Sequence, residues 1–310
     1  MRFLASRDLL PRRPSDRSLG RLQAQVPTRG WAAKILARQR ARTYWATKKT
    51  CYQPKFSSTI WQLQVLADLG LTRRQAEIAN AVGLWFDLHR AKDGGYTPWS
   101  RGESAQHNRT HFRHKDRFMK HGHLCTTGNM VRTLIRFGYL DDERVQSAID
   151  WLVDEQYEDG GWDCFGRKDG TIDAWEAMSA LAGIPPRRRS PDVRRAIDGG
   201  AEFFLRRRLL HEGPRFERWY GLRYPWHYHY DVLVGLDFLT ALGYGRDPRM
   251  REALAHLAAK RRPDGRWNLD DTNGNLVIEP RRRPSKMITF LARRVAKRVG
   301  GDWRPRIEGR

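Results

Sequence analysis

Histidine, cysteine, tyrosine and aspartate gather in a few short stretches of this sequence, and each stretch suits a different chemistry. The densest is Tyr224-Pro-Trp-His-Tyr-His-Tyr-Asp231. There His229 with Asp231 could make an acid–base pair, and the aromatic faces could bind an apolar chain or a cationic intermediate. The same run also reads as a buried aromatic loop with hydrogen-bonded histidines. Cys125 and Cys164, joined by His123 or His229, would make a Cys2His or Cys2His2 zinc site if neighbouring hairpins brought them together. With no C-x-x-C spacing, each cysteine also reads as a small core residue. His107, His111 and His114 fall at i, i+4 and i+7, where one helix could present them to a metal. Their Arg, Lys and Asn neighbours favour a solvated basic insert instead.

Short polar clusters precede or open the apolar stretches: Ser57-Ser-Thr59, Cys125-Thr-Thr-Gly-Asn129, Asp173, His229-Tyr-Asp231 and Ser285-Lys286. If these helix starts share one rim, they converge on a cavity mouth, where free N–H groups favour a phosphate or carboxylate. The candidate catalytic residues are then Asp173, His229, Tyr230 and Asp231. The candidate ligand contacts are Cys125, Asn129, Trp175, Trp226, His227 and Lys286. Ordinary N-capping by Ser, Thr, Asn and Asp explains the same clusters without a ligand.

The elements that must position these residues repeat. Gly138 to Trp162 and Gly243 to Trp267 both span 24 positions and end in Gln156-Tyr-Glu-Asp-Gly-Gly-Trp162 and Arg262-Pro-Asp-Gly-Arg-Trp267. Val145, Ala148, Ile149 and Leu152 match Met250, Ala253, Leu254 and Leu257 in phase, which is one face of an amphipathic helix. Weaker copies run from Trp61 to Tyr96 and from Trp175 to Phe204, and an earlier half-unit ends at Trp45. Trp45 and Tyr96 lie 51 residues apart, so the repeat is about that long. Each unit pairs a uniformly apolar first helix ending at a Gly with an amphipathic second helix ending in an Asp-Gly turn. Ser285-Lys-Met-Ile-Thr-Phe-Leu-Ala suits a further first helix. Residues 1–30 read as a loose basic lead-in, 31–296 as the repeat domain with a polar insert at 97–124, and 297–310 as a basic tail.

The sequence carries 58 Lys and Arg against 35 acids, a net charge of +23. That excess favours anionic partners, including peripheral contact with an anionic membrane, or else a solvated basic surface. Nucleic acid is not expected, because neither a recognised motif nor a stacking platform is present. With no spanning segment, no signal peptide and only three cysteines, a cytoplasmic protein is expected.

Gln156 to Trp162 resembles the prenyltransferase and squalene-oxidase repeat of triterpene cyclases and protein prenyltransferase β subunits. Arg262 to Trp267, Lys92-Asp-Gly-Gly-Tyr96 and Gln39 to Trp45 are similar, decayed copies, and the likeness is greatest to small stand-alone bacterial members. Over residues 31–296 the resemblance implies an all-α fold, an α/α toroid of about five to six helical hairpins around a central cavity. It also implies an isoprenoid or other lipid substrate. Where the family's zinc site has Asp-x-Cys, this chain reads Asp173-Ala-Trp175, and Tyr228 or His229 falls near the later His. Where cyclases place Asp-x-Asp-Asp, the nearest stretch is Asn268-Leu-Asp270-Asp271. A non-catalytic binding scaffold and a carbohydrate-processing toroid enzyme are the alternative functions.

Overall fold

The computed structural model describes residues 1–11, 17–101, 121–212, 216–272 and 278–300. Among them are thirteen α-helices and a single two-stranded sheet, so the chain is mostly helical. In chain order the helices are α1 (Arg2–Asp8), α2 (Ser18–Ala24), α3 (Gly30–Leu36), α4 (Thr59–Asp68), α5 (Ala76–His89), α6 (Leu124–Phe137) and α7 (Glu143–Asp154). There follow α8 (Trp175–Ala182), α9 (Pro191–Arg206), α10 (Glu217–Tyr220), α11 (Val232–Ala241), α12 (Arg251–Ala259) and α13 (Lys286–Val299). Strand β1 (Trp267–Leu269) pairs antiparallel with β2 (Arg283–Ser285), Trp267 opposite Ser285. No helix among the described residues is long and apolar enough to cross a membrane.

The two kinds of helix differ as their sequences predict. Helix α4 buries every residue from Thr59 to Ala67, and α11 every residue from Val232 to Thr240. Helix α7 buries only its stripe of Val145, Ala148, Ile149, Trp151 and Leu152. Successive first helices pack in the order α4, α6, α8, α11, α13, while α5, α7, α9 and α12 each lie on the first helix of their own unit. Helices α6 and α8 pack tightly at Gly128, where an added Cβ would stand 2.6–2.8 Å from Glu176 and Ala177.

The repeat is closed by one recurring set of bonds. The indole N–H groups of Trp45, Trp162 and Trp267 donate to the carbonyls of Ile35, Leu152 and Leu257, each ten residues earlier, at 2.7–2.8 Å. The backbone N–H groups of Trp45, Tyr96 and Trp267 donate to hydroxyls on the next first helix, those of Thr59, Thr127 and Thr289. In the turns, Asp93, Asp159 and Asp264 accept the N–H two residues on. Gly94, Gly160 and Gly265 take the positive φ that follows (76–100°), a conformation glycine adopts without a Cβ penalty.

Three expectations need correction. Gly183 ends α8 with φ −71°, so it is not the left-handed cap that Gly70, Gly138 and Gly243 are. The lead-in is not uniformly loose: α1 buries Phe3 and Leu4, Phe3 lies against Gly70, and Asp8 pairs with Arg294 at 3.1 Å. The last helix runs past residue 297 to Val299. The central part of the insert, with His107, His111 and His114, lies outside the described residues, as does the tail from 301.

Candidate functional site

A pocket of about 410 Å³ lies where the N-terminal ends of α4, α6, α8 and α11 come together. Its aromatic lining is Tyr52, Phe165, Phe216, Trp219, Tyr228 and Tyr230; its cations are Lys55, Arg218 and Arg223. Phe165 and Phe216 are 76% and 44% exposed. Exposed rings that line a cavity offer an entering apolar ligand a contact surface.

One wall carries His123, Cys125 and Cys164, whose ligand atoms all lie within 4.8 Å of one another. Repeat turns place all three. The closing Tyr96 accepts the N–H of His123 at 2.7 Å, and its carbonyl also takes the Thr127 hydroxyl. Cys164 stands two residues after the closing Trp162, whose carbonyl accepts the Thr171 N–H at 2.8 Å. Asp163 then bends the loop by accepting the N–H groups of Phe165 and Arg167. Cys125 Sγ lies 3.3 Å from His123 Nδ1. The hydrogen bond from Cys164 and the nearby His123 hold the Cys125 thiol well below its usual range, whereas Cys164 is pushed up by donating that bond and by burial. Burial would lower His123, but the Cys125 sulfur outweighs it and the imidazole is raised.

The neighbouring wall is acidic. Glu212 accepts from the Thr171 hydroxyl and the Ile172 N–H, fixing the turn that leads into α8. Asp173 on that turn accepts the Trp219 indole N–H at 2.9 Å, and burial raises its carboxyl against that bond. Glu176, three residues on, is 1% exposed, and neither of its carboxylate oxygens has a hydrogen-bond partner among the described residues. Burial, then the Cys125 sulfur, pushes it well above the ordinary carboxyl range. Buried carboxylates without partners are rare and costly, and they concentrate where chemistry is done.

Of the residues singled out from sequence, the pocket brings together Cys125, Asp173, His229 and Tyr230, with His123 and Cys164. His229 is lowered to about 4 by burial and then by Arg223 and Arg218, and it stands outside the three-residue sulfur and imidazole group. The Tyr230 hydroxyl is committed to the Leu209 carbonyl at 2.9 Å.

The others fall elsewhere. Asp231 is fully buried, caps α11 through the Val234 N–H and also accepts from the Arg223 N–H and the Trp226 indole. It therefore holds the 223–231 loop together instead of pairing with His229. His227 is buried against Phe56 and Trp61 and bonds Gln64 at 3.0 Å. Trp226 and Trp175 pack edge to face at 6.1 Å, and Trp175 has no exposed surface. Asn129 is buried one turn inside α6, facing Arg132, and Lys286 is solvent-exposed on α13. Asp270 accepts from the Leu222 N–H and pairs with Lys260, and Asp271 pairs with Arg223. These bonds make the pair a brace under the 222–223 segment, as an acidic loop would be.

Glu176, Phe165 and Phe216 were not singled out from sequence. Glu176 did leave a trace: it is the one charge in the apolar stretch Trp175-Glu-Ala-Met-Ser-Ala-Leu-Ala182.

No family model matches the chain, and a search of curated proteins finds no match. A solved structure of a protein from Actinoplanes is similar over 96% of this chain and 87% of that one, with a TM-score of 0.50 and 15% identity. Likeness at that identity is one of fold.

Proposed function

We propose that the hairpins close into an α/α toroid of the terpene cyclase and prenyltransferase type. In this reading the pocket is its central cavity and takes an isoprenoid or another lipid with an anionic end. The observation that carries this is the lining: six aromatic side chains around about 410 Å³, with Lys55, Arg218 and Arg223 on the same surface. Aromatic faces suit an apolar chain or a developing carbocation, and the cations suit a diphosphate or carboxylate. Phe165 and Phe216, exposed at the lining, would contact a lipid entering from an anionic membrane surface that the basic chain attracts. The carbohydrate reading is supported less, because Asp173 and Glu176 are three residues apart on one wall and do not face each other across the pocket.

Intrinsic tryptophan fluorescence, to which Trp219 in the pocket contributes, titrated with farnesyl diphosphate, farnesol and inorganic diphosphate tests the proposal. Saturable binding of the first, weakened about tenfold by Phe165→Ser and by Arg218→Ala, is expected. Equal, weak responses to all three, or two variants indistinguishable from wild type, would sink it and favour a scaffold.

A further inference from the structure

We propose that His123, Cys125 and Cys164 hold a zinc ion whose fourth position opens into the pocket. The inference rests on the wall described above and not on the lipid reading, so either can fail alone.

Two thiolates and an imidazole are the donors zinc takes. With Zn–S near 2.3 Å and Zn–N near 2.0 Å, the donors of such a tetrahedral set stand about 3.5–3.8 Å apart. Cys125 Sγ and His123 Nδ1 are already at 3.3 Å, and all three donor atoms lie within 4.8 Å of one another. An ion therefore fits with side-chain adjustments of about an ångström or less. The ligands come from the starts of two successive repeat units, each tied by backbone bonds to a closing aromatic, Tyr96 or Trp162. Such anchoring presets donor positions before the metal arrives.

Among the described residues no fourth His, Cys or carboxylate joins this group. Structural zinc sites close with four protein ligands, whereas catalytic ones keep three and leave a position for water or substrate. All three residues line the pocket, so an ion held between them would stand at its wall, within reach of whatever enters it. Glu176 supplies the independent observation. It is buried in the same lining as the three residues, with both oxygens unpartnered among the described residues. A carboxylate beside the ligands and outside their group is placed to accept a hydrogen bond from the metal's water.

The test uses the full chain, stripped with a chelator under reducing conditions and reloaded with zinc or cobalt alone. One zinc per chain by elemental analysis and a thiolate-to-cobalt charge-transfer band are expected. Cys125→Ser and Cys164→Ser should each weaken zinc binding about a hundredfold or more and remove part of that band. Glu176→Gln should still take up one zinc per chain but bind it about tenfold more weakly. Wild-type protein without a thiolate–cobalt band overturns the proposal, and so does a Cys125–Cys164 disulfide that persists under reduction. Unchanged zinc affinity in a folded Cys125→Ser/Cys164→Ser double variant also overturns it. Circular dichroism reports whether the serine variants fold; should they not, the wild-type cobalt spectrum and His123→Ala decide.

Discussion

Removing the Glu176 carboxyl should stabilise the metal-free protein while stripping the pocket of its buried acid. Glu176→Met keeps the side-chain length and fills the same space with no polar atom. The carboxyl is 1% exposed and both its oxygens lack partners, and leaving a buried polar group unsatisfied costs about 1–3 kcal/mol. To that is added a pH-dependent part. Burial raises the folded-state pKa well above 4.5, so above that pH the unfolded chain releases its proton while the folded chain still holds it. Wild type then loses about 1.4 kcal/mol of stability per pH unit relative to the variant, until the folded carboxyl itself ionises. Urea denaturation of both proteins in chelator, at several pH values from 4.5 upward, measures the gap. The variant should be more stable by about 1–3 kcal/mol at the acid end, and the gap should widen as pH rises. A gap that is flat with pH, or a less stable variant, would show that Glu176 has a partner or is solvated.

His89 should make the protein acid-sensitive. Its Nε2 accepts the Cys51 N–H at 2.8 Å and its Nδ1 faces the Thr97 carbonyl at 3.0 Å, so the neutral ring with its proton on Nδ1 is the form that fits. Burial lowers its pKa from 6.5 to about 4. The unfolded chain takes up the proton first, so stability present above pH 6.5 is lost as pH falls toward 4, by about 3 kcal/mol. The stability difference between wild type and His89→Gln should shrink by about that amount across this window; a constant difference counts against it. Gly128→Ala should lower the thermal midpoint, since its Cβ meets α8 backbone at 2.6–2.7 Å. Such overpacking costs about 1–3 kcal/mol, more than the helix propensity of alanine returns. A midpoint at or above wild type would mean that α6 and α8 can part freely.

What could be read from sequence was local. The Asp-Gly turns and closing tryptophans are set by neighbours in the chain, and Asp93, Asp159, Asp264 and the indoles behave as their spacing implies. Thr59, Thr127 and Thr289 do the same job in three units, yet they lie 14, 31 and 22 residues after their aromatics, so no fixed offset betrays them. The 224–231 run misled for a physical reason. A dense set of polar groups in a buried loop satisfies itself first, and Asp231 spends its oxygens on Val234, Arg223 and Trp226. Cys125 and Cys164 were legible as residue types, but their meeting depends on how two units stack.

The bonds from α1 to α13 join residues almost the whole described chain apart: Arg294 to Asp8, and Lys297 to the Asp8 carbonyl at 2.8 Å. An open solenoid has only neighbour contacts and can begin folding at any repeat. Here the Asp8 end of α1 docks on a helix 286 residues further along the chain. Closing that contact carries the entropy of a loop of 286 residues. Intermediate hairpins can form as they emerge, but the contact between α1 and α13 forms only once α13 has been made.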